Sequence, residues 1–84
     1  MNITIIGCGY VGLVSGTCLS DVGHNVKCLD IDKKKISNLK KGVIPIYENG
    51  LKKMINFNCK KGRLSFTCSY KDAISHSNII FLCV

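Results

Sequence analysis

Three glycines near the start of the chain have the spacing G-x-G-x-x-G, which is typical of a turn that binds phosphate groups. They are Gly7, Gly9 and Gly12. Gly7 allows the backbone to turn sharply, Gly9 leaves room for a pyrophosphate beside the main chain, and Gly12 lets the next helix lie close to the strand. The spacing alone is weak evidence, because a glycine-rich turn also occurs in other folds that mix helices and strands.

The segments on either side of these glycines predict a strand and a helix. Residues 3–6 are short, Ile-rich and stopped by glycine, which indicates a buried strand. A helix is expected over residues 10–22, ending at Gly23. Its start near Tyr10 would point unpaired N–H groups and the positive end of its dipole at a phosphate. Its apolar residues recur at helical spacing and are Val11, Val14, Cys18 and Val22, with Cys18 expected on the core side.

An acidic residue supplies the second half of this fingerprint. Asp30 lies in the predicted second strand, residues 26–31, at the distance from the glycines that dinucleotide-binding folds use. Its carboxylate can accept hydrogen bonds from adenosine ribose hydroxyls and would repel a 2′-phosphate, which favours NAD over NADP. The lysines at 33–35 weaken that preference, and the glycines alone leave FAD open. The two halves together predict a dinucleotide-binding unit.

The length of 84 residues allows at most one small domain. A whole Rossmann domain contains two βαβαβ halves, and this chain has room for little more than one. We therefore predict an α/β fold, a partial Rossmann domain with a doubly wound parallel sheet in strand order 3-2-1-4, truncated after the fourth strand. Residues 1–84 would then be the N-terminal part of an NAD-binding domain in a longer protein.

The rest of the chain predicts three further helices and two further strands. The last strand is a continuous apolar run, as in a central parallel strand covered on both faces. In order, the predicted elements are a helix between Asp32 and Gly42, an extended loop at 43–50, a helix with the apolar stripe Leu51, Met54, Ile55 and Phe57, a strand at 64–68, a helix at 70–75 and a strand at 79–84.

The chain contains six cysteines, and none of them forms C-x-x-C, so zinc and thioredoxin-like chemistry lack their spacing. The N-terminus has no signal-peptide pattern, and no apolar stretch is long enough to span a membrane. We expect buried free thiols in a reducing cytosol and no metal site, with a disulfide framework as the alternative.

The net charge is +7, and eleven of the twelve basic residues follow Asp32. They occur as scattered pairs on predicted helix surfaces, without interleaved aromatic residues. This arrangement favours solvated helix faces over a nucleic-acid interface. The nucleic-acid alternative predicts binding that depends steeply on salt concentration.

Three motifs resemble the UDP-glucose 6-dehydrogenases of the UDP-glucose/GDP-mannose dehydrogenase family. They are I-x-G-x-G-Y-V-G-L-V-S-G at residues 5–16, L-D-I-D-x-x-K at residues 29–35 and G-x-I-P-I-Y-E-x-G-L at residues 42–51. The third is the most specific, since a generic Rossmann protein has no reason to contain it. One departure is Asn49, where the family usually has proline, and we expect a looser loop there.

The resemblance implies an NAD-dependent enzyme that oxidises the C6 alcohol of UDP-glucose to give UDP-glucuronate with two NAD molecules. Family members use a cysteine nucleophile that lies far beyond Val84, so no catalytic residue is expected in this chain and the chain alone should be inactive. The full-length enzyme would be a homo-oligomer without membrane or nucleic-acid partners. The alternatives are a sibling acting on GDP-mannose or a UDP-N-acetylhexosamine, and a stand-alone nucleotide-binding module.

The resemblance also transfers cofactor contacts to individual residues. Val11 would lie against the pyrophosphate through its backbone, Asp30 would hold the ribose, and Lys35 would assist. With the glycine turn, the expected cofactor-binding residues are Gly7, Gly9, Tyr10, Val11, Gly12, Asp30 and Lys35.

Overall fold

Parallel strands form the centre of the computed structural model, which describes all 84 residues. The elements in chain order are β1 (Asn2–Ile6), α1 (Tyr10–Asp21), β2 (Asn25–Leu29), α2 (Lys33–Lys40), α3 (Leu51–Lys60), β3 (Leu64–Thr67), α4 (Tyr70–His76) and β4 (Ile79–Leu82). The four strands form one parallel sheet in the order β3-β2-β1-β4. The predicted fold class and strand order are confirmed.

The side chains of β1 alternate between the two faces of the sheet, because successive residues of a strand point in opposite directions. Ile3 and Ile5 are buried in the main hydrophobic core. Thr4 is also fully buried, and its hydroxyl donates a 2.8 Å hydrogen bond to the backbone carbonyl of Ala73 in α4. The core therefore lies between the sheet and the other helices, while α4 covers the opposite face.

Helix α1 lies unusually close to the sheet because its buried face consists mainly of small residues. A Cβ added at Gly16 would lie 2.8 Å from the Cys28 sulfur. The buried residues of α1 are Gly12, Leu13, Gly16, Thr17 and Ser20. The predicted apolar stripe is therefore wrong as the core face: its members Val11, Cys18 and Val22 are exposed, and Val14 is half-buried.

The capping signals of α2 are confirmed. The Asp32 side chain accepts a 3.1 Å hydrogen bond from the Lys35 amide, and Gly42 has a φ of +85° just past the helix. The stripe expected on α3 is only partly correct, because Phe57 is exposed and Asn58 is fully buried in its place. Phe57 instead lies beneath the cationic groups of Lys61 and Arg63, at 5.5 and 5.8 Å from its ring centroid.

Three strands end earlier than the sequence predicts. Strand β2 stops at Leu29, β3 at Thr67 and β4 at Leu82. The prediction that the last strand is covered on both faces is wrong in this structure, since β4 is an edge strand and all four of its residues are exposed. Directly after β2, the Asp30 side chain accepts hydrogen bonds from backbone amides of the neighbouring turns.

The six cysteines are all free, and two of them contradict the expectation of burial. Cys18 and Cys59 are exposed, whereas Cys8 and Cys28 are buried. A hydrogen bond with the Cys8 thiol and burial together raise the pKa of Cys28 well above its ordinary value. No helix has the length and apolar character needed to cross a bilayer.

Candidate cofactor-binding site

The glycine turn connects β1 to α1 at the carboxyl ends of the central strands. Gly7 has a φ of +105°, which only glycine adopts readily, and its amide donates a 2.8 Å hydrogen bond to the Leu29 carbonyl. A Cβ at Gly7 would also lie 2.6 Å from the carbonyl oxygen of Cys83, just after β4. The turn is thus fixed between the ends of two neighbouring strands, as the first glycine of the fingerprint requires.

The backbone amides of this turn divide into two groups. Those of Gly7 and Cys8 donate to protein acceptors, the Leu29 carbonyl and the Asp30 carboxylate. The next four amides, of Gly9, Tyr10, Val11 and Gly12, donate to no protein group, and Leu13 begins the regular helical bonding. Helix α1 also has no capping side chain and no acidic residue in its first turn. Four free donors at the positive end of a helix dipole suit an anionic ligand.

The second and third glycines differ in the space around them. A Cβ at Gly9 would have no protein atom within 4 Å, so the main chain there is open to a ligand. A Cβ at Gly12 would instead overlap the carbonyl oxygen of Gly7. Gly9 therefore leaves room for a ligand and Gly12 leaves room for the turn itself.

Asp30 follows directly after β2 and faces the glycine turn. Its Oδ2 accepts a hydrogen bond from the Cys8 amide and its Oδ1 from the Asp32 amide, both at 2.9 Å. Partial burial opposes ionisation of this carboxyl. The two backbone amides and the nearby Lys35 ammonium outweigh that effect and hold the pKa of Asp30 below its ordinary value of 3.8. The group is a carboxylate at neutral pH.

Lys35 lies beside Asp30, with its Nζ 3.8 Å from the Asp30 Oδ2. The first turn of α2 brings it there, because the Asp32 cap sets the start of that helix. The ammonium of Lys35 adds positive charge near the free amides of the glycine turn, where a phosphate or ribose would bind. The structure therefore brings all seven predicted residues to one edge of the sheet.

Two contacts of this site are not evident from the sequence. One is the hydrogen bond from the Cys8 amide to Asp30. The other joins the Tyr10 hydroxyl, as donor, to the Glu48 Oε2 at 3.1 Å. Glu48 belongs to the extended segment 43–50, in which Ile44 and Ile46 pack against the core. Glu48 was visible in the sequence as part of the motif at residues 42–51, but nothing local indicated that it reaches Tyr10 in the glycine turn.

A known family matches the entire chain. The match covers residues 1–84, and the family is described as the UDP-glucose/GDP-mannose dehydrogenase family, NAD binding domain. Among curated relatives, a UDP-glucose 6-dehydrogenase of Rhizobium meliloti is 54% identical over 84 residues, and the UDP-glucose 6-dehydrogenase YwqF of Bacillus subtilis is 50% identical over 84 residues. In both comparisons the aligned region is 100% of this chain and 19% of the relative.

Solved structures of related enzymes have the same fold over this region. A GDP-mannose dehydrogenase from Pseudomonas aeruginosa in a ternary complex superposes with a TM-score of 0.94 at 42% identity, covering 100% of this chain and 19% of that one. A UDP-D-ManNAc dehydrogenase from Pyrococcus horikoshii also gives 0.94, at 28% identity, covering 100% of this chain and 20% of that one.

The full-length family match, the relatives at about half identity and the geometry of the site agree with one another. The chain spans 19% of the length of the curated relatives it matches. It belongs to the UDP-glucose/GDP-mannose dehydrogenase family, and its residues 1–84 match the NAD binding domain of that family.

Proposed function

We propose that this chain binds the cofactor of a UDP-glucose 6-dehydrogenase, an enzyme that oxidises the C6 alcohol of UDP-glucose to the carboxylate with two NAD molecules. The observation that carries the proposal is the pairing of four free backbone amides, from Gly9 to Gly12, with the Asp30 carboxylate. The names of relatives that are 50% and 54% identical support the choice of reaction.

Each part of the site has a separate task in cofactor binding. The pyrophosphate would accept hydrogen bonds from the free amides of Val11 and its neighbours, and the dipole of α1 would stabilise its charge. The Asp30 carboxylate would accept hydrogen bonds from the adenosine ribose hydroxyls, with Lys35 beside it. NAD supplies the hydride acceptor when bound. The chain itself binds and orients the adenosine diphosphate half of the cofactor.

None of the six cysteines is proposed as the nucleophile. Cys8 and Cys28 are buried, and the pKa of Cys28 is raised well above its ordinary value, which is opposite to what a nucleophilic thiol requires. Thioester chemistry and substrate binding are proposed to belong to other regions of the whole enzyme. We also propose that the whole enzyme is a cytoplasmic homo-oligomer.

Oxidation of a different sugar nucleotide, by another member of the same family, is a second candidate function, because one specific observation favours it. The GDP-mannose dehydrogenase of P. aeruginosa is 42% identical over this region and superposes with a TM-score of 0.94. Enzymes with different sugar nucleotides therefore share this cofactor-binding unit. The sugar would be selected outside residues 1–84, and GDP-mannose or a UDP-N-acetylhexosamine are the competing substrates.

The test combines cofactor binding with turnover. Titration calorimetry of the purified chain should detect NAD binding and weaker NADP binding. The whole enzyme should reduce NAD, followed by NADH absorbance, with UDP-glucose in preference to GDP-mannose. NAD binding without oxidation of any of the sugar nucleotides would favour a stand-alone binding module. NADH production by the 84-residue chain alone, or a failure of the chain to bind NAD, would contradict the proposal.

A further inference from the structure

We propose that Asp30 is a positioning residue for the phosphate-binding turn in addition to its contact with the ribose. The same carboxylate then couples recognition of the ribose to the shape of the turn that binds the pyrophosphate. The inference rests on the proposed function for the identity of the ligand, but the structural coupling exists without it.

The geometry places Asp30 between two backbone segments. Its Oδ2 accepts from the amide of Cys8, and its Oδ1 accepts from the amide of Asp32, each at 2.9 Å. The Asp30 side chain is only 14% exposed. Both oxygens are therefore engaged on the protein side, and the carboxylate cannot rotate without releasing at least one backbone amide.

The bond to Cys8 fixes the only non-glycine residue at the start of the turn. Cys8 lies between Gly7 and Gly9, and the backbone of glycine is less restrained than that of any other residue type. The preceding amide, of Gly7, is already held by Leu29. With both amides held at the end of β2, the next four point away from the protein and remain free.

Loss of the carboxylate would leave the Cys8 amide without its acceptor. A partly buried N–H group without an acceptor is unfavourable, so the backbone would rearrange until water reaches the Cys8 amide. Gly7 and Gly9 on either side of Cys8 are flexible enough to permit this. Such a rearrangement would turn the free amides away from a common phosphate position. The pyrophosphate would then bind more weakly even where the ribose makes no contact at all.

The engaged carboxylate also has a consequence for cofactor selection. A carboxylate accepts about four hydrogen bonds, so each Asp30 oxygen retains capacity for a ribose hydroxyl. To make room for the 2′-phosphate of NADP, the Asp30 side chain would have to rotate. That rotation would break its hydrogen bond with the Cys8 amide or with the Asp32 amide. The preference for NAD over NADP is therefore tied to the same two hydrogen bonds that shape the turn.

The test compares two ligands with two forms of the protein. NAD and an NAD analogue that lacks both the 2′ and 3′ hydroxyls of the adenosine ribose are titrated into the wild-type protein and Asp30→Ala. If Asp30 positions the turn, the substitution weakens binding of the dideoxy analogue by about tenfold, as expected for loss of a charge-assisted contact. If Asp30 acts only on the ribose, both proteins bind the analogue equally, and the inference is overturned.

A second variant needs no ligand and protects the test against a folding defect. Asp30→Leu has nearly the same size but no acceptor oxygen, so the amides of Cys8 and Asp32 both lose their side-chain partner. Amide hydrogen exchange followed by NMR should quicken at Cys8, while the Leu13 amide, which donates to the Gly9 carbonyl, keeps its rate. Unchanged exchange at Cys8, or equal acceleration at both amides, would overturn the positioning role.

The matched control is Asp72→Ala. Asp72 is another carboxylate with an ion pair, to Lys27 at 2.8 Å, and it does not contact the glycine turn. This variant should leave binding of the dideoxy analogue and exchange at Cys8 unchanged. Absence of NAD binding by the wild-type protein would count against the proposed function alone, because the exchange experiment would still report on the coupling.

Discussion

The hydroxyl of Tyr10 donates a 3.1 Å hydrogen bond to the carboxylate of Glu48, 38 residues further along the chain. Tyr10 is the first residue of α1, and its amide is one of the four that remain free for a ligand. Glu48 belongs to the extended segment that precedes α3. The bond therefore ties the glycine turn to a segment that contributes no strand or helix of its own.

The hydrogen bond between Tyr10 and Glu48 should be measurable through the ionisation of the Tyr10 hydroxyl. The hydrogen bond to Glu48, followed by the charge of that carboxylate, raises the pKa of the Tyr10 hydroxyl above its ordinary value of 10.0. Glu48→Gln removes the charge and should lower the pKa of Tyr10 towards 10.0, as measured by the ultraviolet absorbance of tyrosinate. Tyr47→Phe is a suitable control because Tyr47 is fully exposed. An unchanged alkaline titration in Glu48→Gln would show that the bond does not persist in solution.

Alanine substitutions at two glycines should have different effects. Gly9 has a φ of −74° and open space around it, so Gly9→Ala should leave stability almost unchanged. Its methyl group would nevertheless occupy the approach of the pyrophosphate and weaken NAD by about tenfold or more. Gly12→Ala would collide with the Gly7 carbonyl and lower the free energy of unfolding by about 1–3 kcal/mol. Urea unfolding and calorimetry separate the two, and a Gly9→Ala protein with normal NAD affinity would argue against this binding mode.

The stability contributed by Asp30 should depend on pH with a defined sign. Because the pKa of Asp30 in the folded protein lies below 3.8, the ionised form stabilises the fold. That contribution is complete above the unfolded-state pKa and is lost as the pH falls through the lower folded-state value. The difference in unfolding free energy between the wild type and Asp30→Asn should be constant from neutral pH to about pH 5 and shrink below about pH 4. A difference that grows on acidification would contradict this assignment.

The buried side chain of Asn58 in α3 joins that helix to α1 and to the segment just before β3. The side chain of Asn58 is fully buried and donates to Asp21 at 3.0 Å, while its oxygen accepts two hydrogen bonds from Arg63 at 3.0 and 3.2 Å. Asn58→Ala should lower the free energy of unfolding by about 1–3 kcal/mol. The exposed Asn56 on the same helix provides the control, since Asn56→Ala should change stability little. Equal urea midpoints for the two variants would exclude a structural role for this network.

The sequence predicted the parts of the site that depend on local geometry. The strand order was predicted correctly, and the glycine turn and Asp30 lie together after β1 and β2, because a tight turn and a right-handed crossover constrain the backbone wherever they occur. The core face of α1 was predicted incorrectly from Val11, Cys18 and Val22, which are exposed. Apolar spacing identifies a core face only when large side chains fill the interface, and here the closest contact with the sheet is made by Gly16.

Contacts between distant segments could not be predicted from one sequence. Asn58 is polar and lies outside the predicted apolar stripe, yet its side chain is buried and hydrogen-bonded to Asp21, Met54 and Arg63. The Tyr10–Glu48 bond has the same character. In both cases one partner, Asp21 or Glu48, lies tens of residues away, and its position is set by the path of the whole chain.

The pairing of the central strand has a consequence for how this chain folds. In β1, Ile3 pairs with Val26 on one side but with Ile79 on the other. The second pairing joins residues much further apart in the sequence than the first, and the entropy lost on loop closure rises with that separation. Folding should therefore nucleate around β1, α1 and β2, and the phosphate-binding turn would form before the sheet is complete. The Gly7 turn, which contacts the backbone after β4, would reach its final shape only when β4 joins the sheet.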